Sequence, residues 1–263
     1  MWDFYNYPDA YKLITITSLY GFYLALLGIP LILKKQAFTG AALAQAAAFG
    51  GALGAILHLP RFVLPFVCIL GTLSLIIQRQ SKRTPEDGPV AILFINAAAF
   101  STLLISKMPT GEADLLIINF GNILALSTPE LWSGIIISVA GIITFMYIYS
   151  PLLAVINDIE SAKALGYRPY LILSIYTLML TVGITFGLII FGVIVVFGFL
   201  VTPAFLALRF ADTRSGWLIL ILILAVLSGS GGLWLAFGFD FPPGPFIAGL
   251  LGLSAFISWL IRR

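Results

Sequence analysis

Forty consecutive residues, 169–208, carry no charged side chain. They are the longest of nine charge-free stretches: 13–33, 36–60, 62–78, 88–106, 115–129, 131–157, 169–208, 215–239 and 241–261. Together these hold 210 of the 263 residues. A transmembrane helix needs roughly 20 apolar residues to cross a hydrocarbon core of about 30 Å. Soluble domains carry about 25% charged residues, whereas this chain carries 10%, with 60% hydrophobic residues and a mean hydropathy of +1.08. The pattern describes an all-α, polytopic membrane protein, a single transmembrane domain over 1–263 with little mass outside the bilayer. It excludes a soluble enzyme, a secreted disulfide scaffold and a large extramembrane catalytic domain.

Several chemistries are excluded by simple counts. The chain has no G-x-x-x-x-G-K-[ST] segment, so it has no P-loop for ATP. His58 is the only histidine and Cys68 the only cysteine, which rules out H-E-x-x-H and an internal disulfide. Cys68 lies in an apolar run and reads as a small hydrophobe, buried or facing lipid. The net charge of +3 comes without a basic patch interleaved with aromatics, so no nucleic-acid partner is expected. The aromatic residues form no cofactor box. The opening segment MWDFYNYPDAYK lacks the basic region and cleavage site of a secretory signal. Its Trp2, Tyr5, Tyr7 and Tyr11 suit the headgroup zone of a membrane.

About eight or nine spans follow. The first runs over 13–33 and ends at Lys34-Lys35. The second, 39–57, is rich in Ala and Gly, and its Gly50/Gly54 pair lets another helix approach closely. Spans at 62–78, 89–106 and 131–149 follow, with a short stretch at 115–126 that reads as re-entrant. Residues 169–208 as one straight helix would measure about 60 Å, twice the hydrocarbon thickness. They must turn, and Gly183, Gly187 and Gly192 mark where, through a broken helix. The last spans are 216–236 and 243–261, joined by FDFPPGP (239–245).

Lys and Arg placement sets the orientation. If nine spans cross, the clusters Lys34/Lys35, Arg79/Lys82/Arg83, Lys163/Arg168, Arg209/Arg214 and Arg262/Arg263 share one face. That arrangement puts the N-terminus outside and the C-terminus in the cytoplasm, in the cell inner membrane. If 115–126 crosses, the orientation upstream of it inverts.

Three segments together resemble the permeases of ABC importers for manganese, zinc and iron. They are KKQAFTGAALAQAAAFGGALG (34–54), FGNILALS (120–127), and NDIESAKALGY (157–167) leading to GVIVVFGFLVTPAFLAL (192–208). Their order and spacing, with the FPPG turn before the last span, extend the resemblance over nearly the whole chain. It implies the ABC importer permease fold and transport driven by a separate cytoplasmic ATP-binding subunit. It also implies a second permease copy or paralogue and an extracytoplasmic substrate-binding protein. No catalysis is expected on this chain itself. The polar loop 150–168 then becomes the ATPase coupling element. Asp158, Glu160, Ala162, Lys163 and Gly166 sit there at helical spacing, with small positions suited to a groove. The plainer alternative is a solvated loop that happens to be helical.

One departure matters. In this family the small-residue helix usually carries an aspartate and, four residues on, a histidine, which share a helix face. Here these positions are Ala41 and Gln45. Alanine cannot ligate, and glutamine offers only a neutral carbonyl oxygen. Stripping water from a divalent cation in a bilayer without an anionic ligand is severely unfavourable. No metal ligand set is therefore assigned. Three explanations stay open: a heterodimer whose partner supplies the ligands, a chelate or small organic cargo, or a path of carbonyl and amide oxygens. Candidate pathway residues are Thr39, Gln45, Asn96, Asn119 and Asn122, although each can equally hydrogen-bond a neighbouring helix. His58, beside Leu-Pro-Arg at a span end, reads as interfacial, and Asp240 as a turn residue at the outer face.

Function classes separate on the same residues. A carrier coupled to an ion gradient generally needs intramembrane carboxylates, and none lies within the nine stretches. The leading expectation is an ABC importer permease for a divalent metal ion or a metal-related small solute. The alternatives are a permease for a non-metal substrate and a pathway-dead or scaffold half of a heterodimer.

Overall fold

The computed structural model describes residues 10–79, 87–108 and 111–261, with side chains for 10–74, 88–108 and 116–261. Among the described residues all regular structure is helical. In chain order the helices are α1 (Ala10–Leu33), α2 (Ala37–Ile56), α3 (Val63–Arg79), α4 (Asp87–Ile105), α5 (Gly111–Phe120), α6 (Thr128–Asn157), α7 (Ile159–Ala164), α8 (Pro169–Phe210), α9 (Arg214–Val226), α10 (Gly232–Gly238) and α11 (Pro243–Leu260). A 3-10 turn at Ile123–Ala125 precedes α6, and a π segment at Leu227–Gly231 joins α9 to α10. Seven stretches are long and apolar enough to cross a membrane, with Arg214–Gly238 counted as one.

The 42-residue α8 is two helices folded on each other. Only Gly192 leaves helical geometry, with φ 73 and ψ 173. Contacts with α1 prove the reversal. The Leu27 carbonyl accepts a hydrogen bond from Tyr176, while a side chain on the adjacent Gly28 would strike Leu200 and Ala204. In a straight helix residues 176 and 200 would lie about 36 Å apart. The limbs 169–191 and 193–210 therefore run antiparallel, which brings the membrane-length segments among the described residues to eight, with the shorter apolar α3 beside them. The expectation that three glycines mark the turn is corrected: Gly183 and Gly187 stay helical. A Cβ on Gly183 would meet Leu27 and Tyr23, and one on Gly187 would meet Val196 and Tyr20. Small residues there serve close helix packing.

Tyrosines lock α1 to the first limb. Tyr20 donates to the Gly183 carbonyl at 3.0 Å, Tyr23 to Met179 at 2.9 Å and Tyr176 to Leu27 at 2.8 Å. Each hydroxyl is buried where water cannot serve it, so a carbonyl of the facing helix takes that place. The short stretch expected to be re-entrant does not cross. After α5 the chain reverses at Gly121 (φ 71), passes the 3-10 turn and starts α6 at the end where it began. A capping box opens α6: Ser127 Oγ accepts from the Glu130 N–H, and Glu130 Oε2 accepts from the Ser127 N–H at 2.9 Å.

Of the basic clusters, Lys34, Lys35, Lys163, Arg168, Arg209 and Arg214 are described with their side chains, and they share one end. Arg209 donates to the Ile261 carbonyl at 2.8 Å, Tyr149 reaches the Arg214 carbonyl, and Lys34-Lys35 close α1 at that same end. Trp2, Tyr5, Tyr7, Lys82, Arg83, Arg262 and Arg263 lie outside the described residues.

Candidate functional site

The small-residue helix α2 lies among α3, α4 and the first limb of α8. Gly50 permits this, because a Cβ there would sit 2.5 Å from the Leu64 carbonyl oxygen. Ala41 is buried and Gln45 half-buried, one helical turn apart. Thr39 is buried in the first turn, toward the basic end and away from the other candidates. At mid-helix depth a 280 Å³ cavity opens between α2, α3 and α4. Ala46 and Phe49 line it from α2, Cys68 and Thr72 from α3, and Asn96 and Phe100 from α4. The Asn96 amide nitrogen donates to the Ile92 carbonyl at 2.8 Å, which leaves its carbonyl oxygen to serve the cavity. Asn96 thus shares a cavity with Ala46 and Phe49 of α2, while Gln45 itself does not line it. Cys68, read as a buried or lipid-facing hydrophobe, is half-buried and lines this cavity, as does Thr72. Their i,i+4 spacing in α3 was the only sequence signal for that shared face.

Asn119 and Asn122 belong elsewhere. They flank Gly121, whose missing side chain is matched by that of Gly192: a Cβ on Gly192 would lie 2.3 Å from the Gly121 nitrogen. The α5 turn is thereby seated on the reversal of α8. Asn122 lines a separate 460 Å³ cavity with Phe120, Phe237, Asp240 and Phe241, at the end opposite the basic clusters. Asp240 holds a left-handed backbone (φ 59) that closes α10, in keeping with its reading as a turn residue. Among the described residues no group of three or more His, Cys, Asp or Glu side chains is placed to hold a metal.

The polar segment at the basic end forms α7. Asp158 ends α6 and caps α7, its carboxylate accepting from the Ser161 N–H at 2.8 Å. Hydrogen bonding from Ser161 holds the Asp158 carboxyl below the usual carboxylate range. Lys163 donates to Glu160 at 2.8 Å, and that contact holds its ammonium above its ordinary value. The helix closes in a Schellman motif: the Tyr167 N–H donates to the Ala162 carbonyl and the Gly166 N–H to that of Lys163. Gly166 supplies the left-handed residue at φ 82, with open space where a side chain would stand. Ala162 faces inward and is fully buried, while Ile159 and Leu165 are exposed. The result is an elbow capped at both ends, with apolar side chains left uncovered.

A polytopic helical bundle with a mid-membrane cavity, a stiff polar elbow at its basic end and no nucleotide motif is a transport permease. The ABC 3 transport family matches residues 7–262, and the chain belongs to that family. It is similar to the manganese transport system membrane protein MntC of Halalkalibacterium halodurans, 26% identical over 96% of this chain and 88% of that one. It is also similar to the chelated iron transport system membrane protein YfeC of Yersinia pestis, 27% identical over 94% of this chain and 84% of the other. Among solved structures, PsaBC from Streptococcus pneumoniae in complex with Fab matches with a TM-score of 0.86 at 22% identity, covering 99% of this chain and 94% of that one. An inward-facing putative metal-chelate type ABC transporter matches at 0.74 and 18% identity, covering 97% and 87%. These likenesses establish the fold as that of ABC permeases. The protein is a multi-pass permease subunit of an ABC transporter in the inner membrane.

Proposed function

We propose that this permease imports a divalent metal ion or a metal-related small solute, with the whole chain acting as one transmembrane domain. A cytoplasmic ATP-binding subunit drives it, a second permease subunit completes the pathway, and an external binding protein delivers cargo. The observation that carries the reading is α7, which presents Ile159 and Leu165 from a frame held at both ends by Asp158 and Gly166. A stiff helix can pass motion between subunits, whereas a loose loop absorbs it. Glu160, Ala162 and Lys163 keep the frame in register. Cargo passes between α2 and α4, where Asn96 offers an amide oxygen to the cavity and the half-buried Gln45 stands next to its lining residue Ala46 in α2. Thr39 stands toward the basic end of α2, while Asn119 and Asn122 lie outside that cavity, with Asn122 at a separate one at the opposite end of the bundle. The test is ATP-driven uptake of radioactive manganese or zinc by the reconstituted transporter. Gly166→Arg is expected to abolish uptake while the permease stays folded, and normal uptake by that variant removes the coupling role from α7.

A second reading rests on Ala41 and Gln45. A chain without the family's acidic ligand serves as one half of a heterodimer whose partner holds the ion, or as a scaffold for that partner. Co-purification with a paralogue carrying the Asp/His pair, and uptake that requires it, would favour this reading over a homodimer.

A further inference from the structure

The least covered of the seven membrane-length stretches is α4, and the face it turns outward is unlike those of its neighbours. Large apolar side chains, among them Ile143, Leu222 and Phe256, stand on the outward faces of α6, α9 and α11. On α4 the exposed residues Ile92, Ile95, Asn96, Ala99 and Leu103 form one stripe, at i, i+3, i+4, i+7 and i+11. Asn96 sits at the middle of this 19-residue helix. At 1.5 Å per residue it lies about 14 Å from either end, at the centre of the hydrocarbon.

An exposed amide at that depth is out of reach of water, and lipid tails offer it no partner. One Asn96 N–H donates to the Ile92 carbonyl at 2.8 Å. Among the described residues, its second N–H and its oxygen are then left to be met. That remainder is self-complementary, because two such amides related by a two-fold axis can each donate to the other's oxygen. The second lone pair of each oxygen still serves the cavity. Ala99, on the same stripe, leaves room for a facing backbone to come close. The 280 Å³ cavity between α2, α3 and α4 opens on this same side, since its lining residues Asn96 and Phe100 are exposed. A transport path open sideways to lipid is incomplete, and whatever closes it must stand on this stripe.

We propose that the outward stripe of α4 is the contact with a second copy of this chain. The two Asn96 amides pair across a two-fold axis, and each copy closes the open side of the other's cavity. The inference rests on the importer reading, which calls for a second permease subunit, and deepens it by naming the surface and the partner. An acyl chain could fill the groove but would leave the amide unmet. The test uses native membranes holding the permease–ATPase complex, with two differently tagged copies of the chain in a Cys68→Ser background. Copper phenanthroline should join Ala99→Cys of one copy to Ala99→Cys of the other. It should leave Ile143→Cys, on the uncovered face of α6, unlinked. In liposomes, energy transfer between labelled copies should show Asn96→Leu pairing at least about fivefold more weakly, with Asn96→Gln retaining most of the affinity. Unchanged helical circular dichroism separates that loss of pairing from a loss of fold. The proposal is overturned if Ala99→Cys stays unlinked, or if Asn96→Leu pairs as tightly as the parent. It is also overturned if Ala99→Cys joins only a different protein, which assigns the stripe to a paralogue, or if a photoactivatable phospholipid labels the stripe instead. A complex that cross-links through Ala99→Cys, yet took up no metal with ATP before the oxidant was added, keeps the surface and defeats the importer reading.

Discussion

At the scale of single residues, two features draw the predictions: the Ala41 and Gln45 pair and a capped elbow. Ala41 and Gln45 lie one turn apart on α2, the helix whose Ala46 and Phe49 line a cavity with an amide, a hydroxyl and a thiol as its polar groups. Installing the pair that the sequence resemblance implies at these positions, Ala41→Asp with Gln45→His, is expected to create manganese or zinc binding absent from the parent. Calorimetry on the reconstituted permease checks this, and no gain would show that other ligands of the family site are missing too. Asp158 offers a second prediction. Its carboxyl is held below the usual range, so the cap is intact above that lowered value and lost only as pH falls through it. Asp158→Ala should therefore speed hydrogen exchange of the Ser161 amide at neutral pH, whereas acidifying the parent from pH 8 to 5 should not. The cavity lining was only partly legible. Asn96 could be picked out because an amide in lipid is costly, and the structure gives it a cavity. Cys68 and Thr72 escaped notice because a thiol and a hydroxyl are tolerated on any helix face, so no cost singles them out.

At the scale of elements, the reversal at Gly192 and the tyrosine contacts of α1 carry the architecture. A Cβ at Gly192 would meet backbone of the α5 turn at 2.3 Å, and the residue also holds a positive φ. Gly192→Ala is expected to cost roughly 2–5 kcal/mol from strain and overpacking combined. It should appear as a fall in detergent-solubilised melting temperature, with a smaller fall for Gly183→Ala, where the clash is with side chains. Replacing Tyr20 and Tyr23 by Phe should cost about 1 kcal/mol for each hydrogen bond lost. Helix ends were the hardest elements to read. Lys35, His58 and Asp240 close their helices with left-handed backbones where glycine is the usual signal. Without a glycine the sequence offers no mark there. The start of α6 did carry one, the S-T-P-E of its capping box, which places the helix just ahead of the charge-free run.

At the scale of the whole molecule, length and charge made the fold class and the approximate span count legible, because lipid leaves a chain few choices. The antiparallel reversal of 169–208 followed from length alone, while its single turning residue needed packing to reveal it. The cavities were less legible, since a cavity is made by helices distant in sequence. Orientation provides a test. With Cys68→Ser as background, a cysteine at Asp212 should react with an impermeant maleimide only in inside-out vesicles, and one at Lys107 only in right-side-out vesicles. The α8 hairpin also bears on biogenesis. Its tip carries no charge to guide it, and its nearest anchors, Arg168 and Arg209, lie at the two ends that stay on the same side. The first limb thus has no cue of its own to stop on the far side. During synthesis the two limbs should enter the bilayer together, once the second has left the ribosome.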